Sequence, residues 1–165
     1  MKYILCLFFF CRLSSIHVEA QSTAGGYVTV EGEVLQPQKL YAADLQKLRH
    51  STVTSKTRDG KDHAYTGVPV ELLLNKAGVT TGSQLHGENL TKYLLVTAAD
   101  GYQVVFSLAE LDSAFTDKQV ILADAMDGNP LPADKGPFQL IVPGEKRPAR
   151  SCYQVTGFVV RFAKD

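Results

Sequence analysis

Between Cys11 and Cys152 the sequence has no cysteine. It contains no CxxC pair and no Cys/His spacing of the zinc type, which excludes a metal centre of that kind. An excess of one charge sign is lacking too, since 17 Lys and Arg balance 17 Asp and Glu. No broad positive field therefore invites nucleic acid, and no helix-turn-helix or RNA-binding aromatic signature occurs. There is no internal repeat and no linker. The most apolar run near the start, Tyr3 to Phe10, falls well short of the roughly 20 residues that cross a bilayer. What remains is a chain of 165 residues, 45% hydrophobic and 21% charged, which suits one globular domain with its own core.

The first twenty residues read as an export leader. Lys2 precedes the apolar run, a more polar stretch follows, and Val18-Glu19-Ala20 offers small or aliphatic residues three and one before a cut. Cleavage is expected after Ala20, leaving 21–165 as a single periplasmic or secreted domain that is not held in a membrane. Cys6 and Cys11 leave with the leader, so Cys152 is the lone thiol of the mature chain and an intramolecular disulfide is excluded.

Along the rest, "GYVTVEGEV" alternates as a half-buried strand, and "LYAADLQKL" has the spacing of a short helix. "STVTSKT" is β-branched and is broken at "RDGKDH". Pro69 opens a helix over "PVELLLNKAGV" that Gly78 closes. "TTGSQLHGEN" reads as loop. "KYLLVTAADGYQVVFS" is a hairpin joined at Asp100-Gly101, and Ser107 and Glu110 form a capping box. "KQVILADAM", "FQLIV" and the closing "YQVTGFVVRF" supply further strands. Strands outnumber helices without strict alternation. The fold class is α+β, a mainly antiparallel or mixed sheet with short helices.

The stretch Asp127–Gly144, "DGNPLPADKGPFQLIVPG", holds four of the seven prolines and three of the thirteen glycines. It specifies a defined loop path, and "EKRPAR" places Lys146, Arg147 and Arg150 directly after it.

"YTGVPVELLLNKAGV", "VTAADGYQVVFSLAELD", "VILADAMDGNPLPADKGPFQLIVPG" and "YQVTGFVV" together resemble, in order, the oxidoreductase molybdopterin-binding domain, as in sulfite oxidase. The resemblance spans roughly 26 to 162 and implies that family's α+β fold. It also implies that the proline-rich stretch lines a pterin cleft, and that a phosphate-holding cation lies close to Arg150. The family's metal-ligating cysteine falls near Thr54 or Ser55, where this chain has no thiol. Its basic follow-on is echoed by Lys56, Arg58, Lys61 and His63.

Three functional readings follow from the residues and the resemblance. In the first, the protein has no metal and no cofactor, and its cleft binds an anion, a pterin-like molecule or a partner protein. Arg58 and Lys61 would then face Lys146, Arg147 and Arg150 across an anion site beside Ser55, with His63 nearby. The second is a molybdopterin-dependent oxidoreductase with Ser55 as an oxygen ligand in place of the sulfur that molybdenum prefers. The third is a structural or assembly subunit that needs no ligand.

Overall fold

A computed structural model describes residues 26–163; the expected leader and its cleavage point lie outside the described residues. The strands are β1 (Tyr27–Gly32), β2 (Gln38–Tyr41), β3 (Ser51–Lys56), β4 (Asp62–Pro69), β5 (Lys92–Ala98), β6 (Gln103–Ser107), β7 (Ile121–Met126), β8 (Asn129–Pro130), β9 (Gln139–Ile141) and β10 (Val155–Phe162). Two short helices, α1 (Ala42–Leu45) and α2 (Val70–Lys76), and several 3₁₀ turns complete them. Among the described residues no helix is long and apolar enough to cross a membrane.

The strands form two sheets. The first runs β2-β1-β10-β5-β6, and the second runs β3-β4-β7-β8 with β9 also on β7. Among the described residues only β1 and β10 pair in parallel, with Thr29 opposite Gly157. All other ladders are antiparallel, as the alternating sequence patterns predict. The fold is the expected α+β arrangement.

Alternation explains how the sheets pack. Val28 and Val30 of β1, Leu94 and Val96 of β5, and Phe158 and Val160 of β10 turn one side of the first sheet inward. They join Val68, Leu122 and Leu140 of the second sheet and Leu73 and Leu74 of α2 in one core. Full burial of each such side chain contributes on the order of 1.5–3 kcal/mol. The opposite face of the second sheet carries a smaller cluster of Tyr65, Ile121, Ala123 and Ile141. That second face positions the candidate site.

Local chemistry accounts for most boundaries. Asp100-Gly101 turns β5 into β6, with Gly101 at φ 84°. Ser107 and Glu110 close their capping box over a 3₁₀ turn rather than a full helix. Gly78, at φ 72°, follows the C-cap Ala77 of α2. The structure differs from the sequence reading at several places. Leu40 and Tyr41 belong to β2, so the helix expected over "LYAADLQKL" shrinks to Ala42–Leu45. Pro69 ends β4 and the helix begins at Val70, because the second sheet extends further than the proline suggests. Asp62 and His63 belong to β4 and not to the break, which narrows to Arg58–Lys61. The loop before β5 contains 3₁₀ turns at Gly82–Gln84 and Gly87–Thr91.

Candidate functional site

Ser55 lies on β3, where alternation sends Val53 and Ser55 to one side. Across the ladder Ser55 faces His63 and Val53 faces Tyr65. Directly opposite residues of an antiparallel pair project to the same face. Beyond β4, on the other flank of β7, Gln139 of β9 lies opposite Ala123, and Ile141 lies opposite Ile121. Tyr65, Ile121, Ala123 and Ile141 share one buried cluster. Ser55 and Gln139 therefore belong to the same face of the second sheet, brought together by register across three ladders.

The segment leading into β10 covers this face. The Leu140 N–H donates to the Cys152 carbonyl at 2.9 Å, and the Val142 N–H donates to Ser151 Oγ at 3.0 Å. Pro148, Ser151 and Tyr153 of this segment join Ser55, Arg58, Tyr65 and Gln139 around a chamber of about 10 Å³. Arg58, Pro148, Ser151 and Tyr153 also line a neighbouring cleft of about 220 Å³, together with Asp100, Tyr102 and Cys152. Arg58 is exposed and forms no ion pair among the described residues. Tyr102 Oη donates to the Ala149 carbonyl at 2.9 Å, tying the β5–β6 turn to the rim of this cleft.

The donors around Ser55 are hydroxyls, an amide and a guanidinium. The nearby thiol, Cys152, is buried, and burial pushes it up to about 11, so it stays protonated at neutral pH. Burial likewise raises the Tyr65 phenol. Among the described residues no cluster of three His, Cys, Asp or Glu side chains could hold a metal ion.

The residues proposed from sequence separate into groups. Ser55 and Arg58 meet at the chamber. Lys61 is exposed and lies 4.0 Å from Asp59 at the Asp59-Gly60 turn. His63 pairs with Asp127, not with its neighbour Asp62, because successive strand residues project to opposite faces. Its Nδ1 lies 2.6 Å from Asp127 Oδ2, and the other oxygen of Asp127 accepts the Ala64 N–H at 2.9 Å. The hydrogen bond from His63 holds the Asp127 carboxyl below the usual carboxylate range. Lys146 and Arg147 are exposed and form no ion pair among the described residues.

Arg150 requires a correction. It does not face Ser55 across the cleft. Its Nη1 donates to Glu110 Oε1 at 2.9 Å, and its Nε donates to Glu145 Oε1 at 2.8 Å. The guanidinium lies 4.4 Å from the centroid of the Phe106 ring. Burial works against its charge, but the Glu145 and Glu110 bonds outweigh that and raise its pKa. At Glu110 burial works against the charge, and the bonds from Arg150 and Ser107 together outweigh it and lower the carboxyl. Two carboxylates have neutralised this cation, so it clamps the loop to the first sheet. It lines a different cavity, of about 370 Å³, between Phe106, Phe115 and Val142. An anion site joining Ser55, Arg58 and all three cations of the proline-fixed loop is not formed.

Gln139, Ser151 and Tyr153 were not singled out in the sequence. The one available signal was Gln139 itself, a polar residue inside the apolar run "FQLIV".

The model of the oxidoreductase molybdopterin binding domain matches residues 17–149. No curated protein matches the chain. Among solved structures, the fold is similar to the sulfane dehydrogenase SoxCD from Paracoccus pantotrophus, with a TM-score of 0.65 and 20% identity. That likeness covers 85% of this chain and 39% of the other, so the chain spans well under half the length of that relative.

Proposed function

The chain belongs to the oxidoreductase molybdopterin-binding domain family, and from that premise we propose that it is an exported module that binds a small polar ligand rather than a molybdenum oxidoreductase. The observation that carries this reading is the chamber at Ser55. The resemblance sets a soft thiolate there, whereas this chain has a hydroxyl, and the chamber measures about 10 Å³. Molybdenum in that setting prefers sulfur, and a hard serine oxygen is a poor substitute. The neighbouring cleft of about 220 Å³ is smaller than the roughly 300–1,000 Å³ of pockets that enclose drug-sized molecules. The residues around Ser55 do not fit the metal-bearing cofactor.

What the cleft can do is hold something smaller. Arg58 brings an unpaired guanidinium suited to two oxygens at once, Asp100 brings a carboxylate, and Tyr102, Ser151 and Tyr153 bring hydroxyls. A compact molecule with an anionic end matches this set. The shared rim, Arg58 with Pro148 and Tyr153, places that end next to the chamber. Work outside the cytoplasm, after loss of the leader, belongs to the same proposal.

The test has two arms. Elemental analysis of protein from a host that makes and exports the cofactor should find no stoichiometric molybdenum. Calorimetric titration with small carboxylates, simple oxyanions and nucleotides should find a ligand whose affinity falls in Arg58→Ala. Stoichiometric molybdenum that is lost in Ser55→Ala would instead establish the serine-ligated oxidoreductase. Absence of both metal and ligand would leave the structural or assembly subunit.

A further inference from the structure

Gln139 is 3% exposed, and its Oε1 is buried with no hydrogen-bond partner. Native proteins rarely leave such an acceptor unpaired, and an ordered water or ion is its common partner. The position follows from backbone register. Gln139 lies opposite Ala123 on the face that also bears Ile121 and Ile141, so a polar side chain is held where its neighbours are apolar.

The space beside it has a defined size and chemistry. The chamber is about 10 Å³, the lower limit for one water molecule. Such a water needs two to four polar partners, and the lining provides them. Ser55, Tyr65, Ser151 and Tyr153 all bring hydroxyl groups. Ser151 Oγ already accepts the Val142 N–H at 3.0 Å, which leaves its own hydrogen free to donate.

We infer that this chamber binds one internal water molecule, which donates a hydrogen bond to Gln139 Oε1 and takes its other partners from the surrounding hydroxyls. It lies beside Ser55, in the region of Thr54 and Ser55 where the family resemblance puts the metal ligand. A ligand in the neighbouring cleft then reaches Gln139 through this water, or replaces it with an N–H or O–H of its own. An anion at the same spot would face an acceptor, so the inner end of the site selects donor groups while Arg58 at the rim selects acceptors. The water belongs to the free protein. It stands even if the cleft binds nothing, so its test is separate from the titrations above.

A crystal structure of the chain at a resolution that shows ordered water decides the matter, with parallel crystals soaked in bromide. The expected result is one oxygen peak within about 2.7–3.2 Å of Gln139 Oε1 and no bromide there. Oxygen-17 relaxation dispersion in solution should count one long-lived water fewer in Gln139→Met than in the native chain. An empty chamber, with Gln139 Oε1 bonded to a protein donor, overturns the inference. So does bromide against the amide, which would mean that the N–H₂ end faces inward. Should Gln139→Met not fold, the native crystal structure is sufficient.

Discussion

His50 Nε2 lies 3.1 Å from Asp124 Oδ2, while its Nδ1 lies 2.9 Å from the Leu48 carbonyl oxygen. Both ring nitrogens face acceptors, and only the imidazolium can donate to both at once. Burial lowers its pKa, but the bonds to Asp124 and Leu48 outweigh burial and raise it above the ordinary histidine value.

The pH dependence follows in sign. A histidine raised in the folded state contributes stability that is fully present below the unfolded value of about 6.5 and is lost as pH rises through the folded value. The urea midpoint should therefore fall as pH rises above about 6.5, and the fall should shrink in His50→Gln. An equal fall in native and variant protein would refute the assignment.

Arg150→Ala should destabilise the fold while Arg147→Ala and Lys146→Ala leave it unchanged within about 0.5 kcal/mol. Arg150 loses two carboxylate bonds and its stacking on Phe106. Its side chain is 34% exposed, so solvent screening reduces the loss to about 1–2 kcal/mol. Denaturant unfolding of the three variants measures the contrast.

Gly67 admits no side chain. A methyl there would lie 2.1 Å from the Leu122 carbonyl oxygen and 2.4 Å from the Ala123 Cα, both backbone atoms. The β4–β7 ladder, irregular between Thr66 and Gly67, would have to move apart. Gly67→Ala is expected to cost on the order of 3 kcal/mol, at the upper end for overpacking. A melting temperature equal to that of the native chain would show that the strands can separate freely.

Cys152 should resist alkylation until the chain unfolds. Its thiol is buried and pushed up to about 11, so little thiolate exists at pH 8. Labelling with iodoacetamide should be slow in buffer and complete in guanidinium. Rapid labelling of the folded protein would place the sulfur in open contact with the cleft.

Asp127 combines φ 50° with the two bonds to His63 and Ala64, and Gly128 follows at φ 77°. Asp127→Asn keeps a residue that tolerates the left-handed region and should cost less than Asp127→Val, which loses both bonds and strains the turn. A difference of about 1–2 kcal/mol is expected by thermal or urea unfolding.

Local patterns determined much of this protein. The β5–β6 hairpin, the α2 C-terminus at Gly78 and the α+β class each depend on contacts a few residues apart, and the alternation and turn residues announce them. The ordered motifs identified the family, and with it the absence of a thiol near Ser55. Asp127-Gly128 carried the same turn signal as Asp100-Gly101, though it closes a ladder of only two pairs, Ala125 with Pro130 and Met126 with Asn129. Only the tertiary structure decided the partners. His63 meets Asp127 across 64 residues, His50 meets Asp124 across 74, and Arg150 meets Glu110 across 40. The two histidine pairings follow from the β3–β4–β7 register, which arises when remote strands align to bury their apolar sides, whereas Arg150 and Glu110 lie in 3₁₀ turns that packing brings together. A shift of one residue would send each side chain to the other face. The same register sets Gln139 beside Ser55, while the contacts with Glu110, Glu145 and Phe106 turn Arg150 away from it, because the sequence lists charges while packing chooses which of them meet.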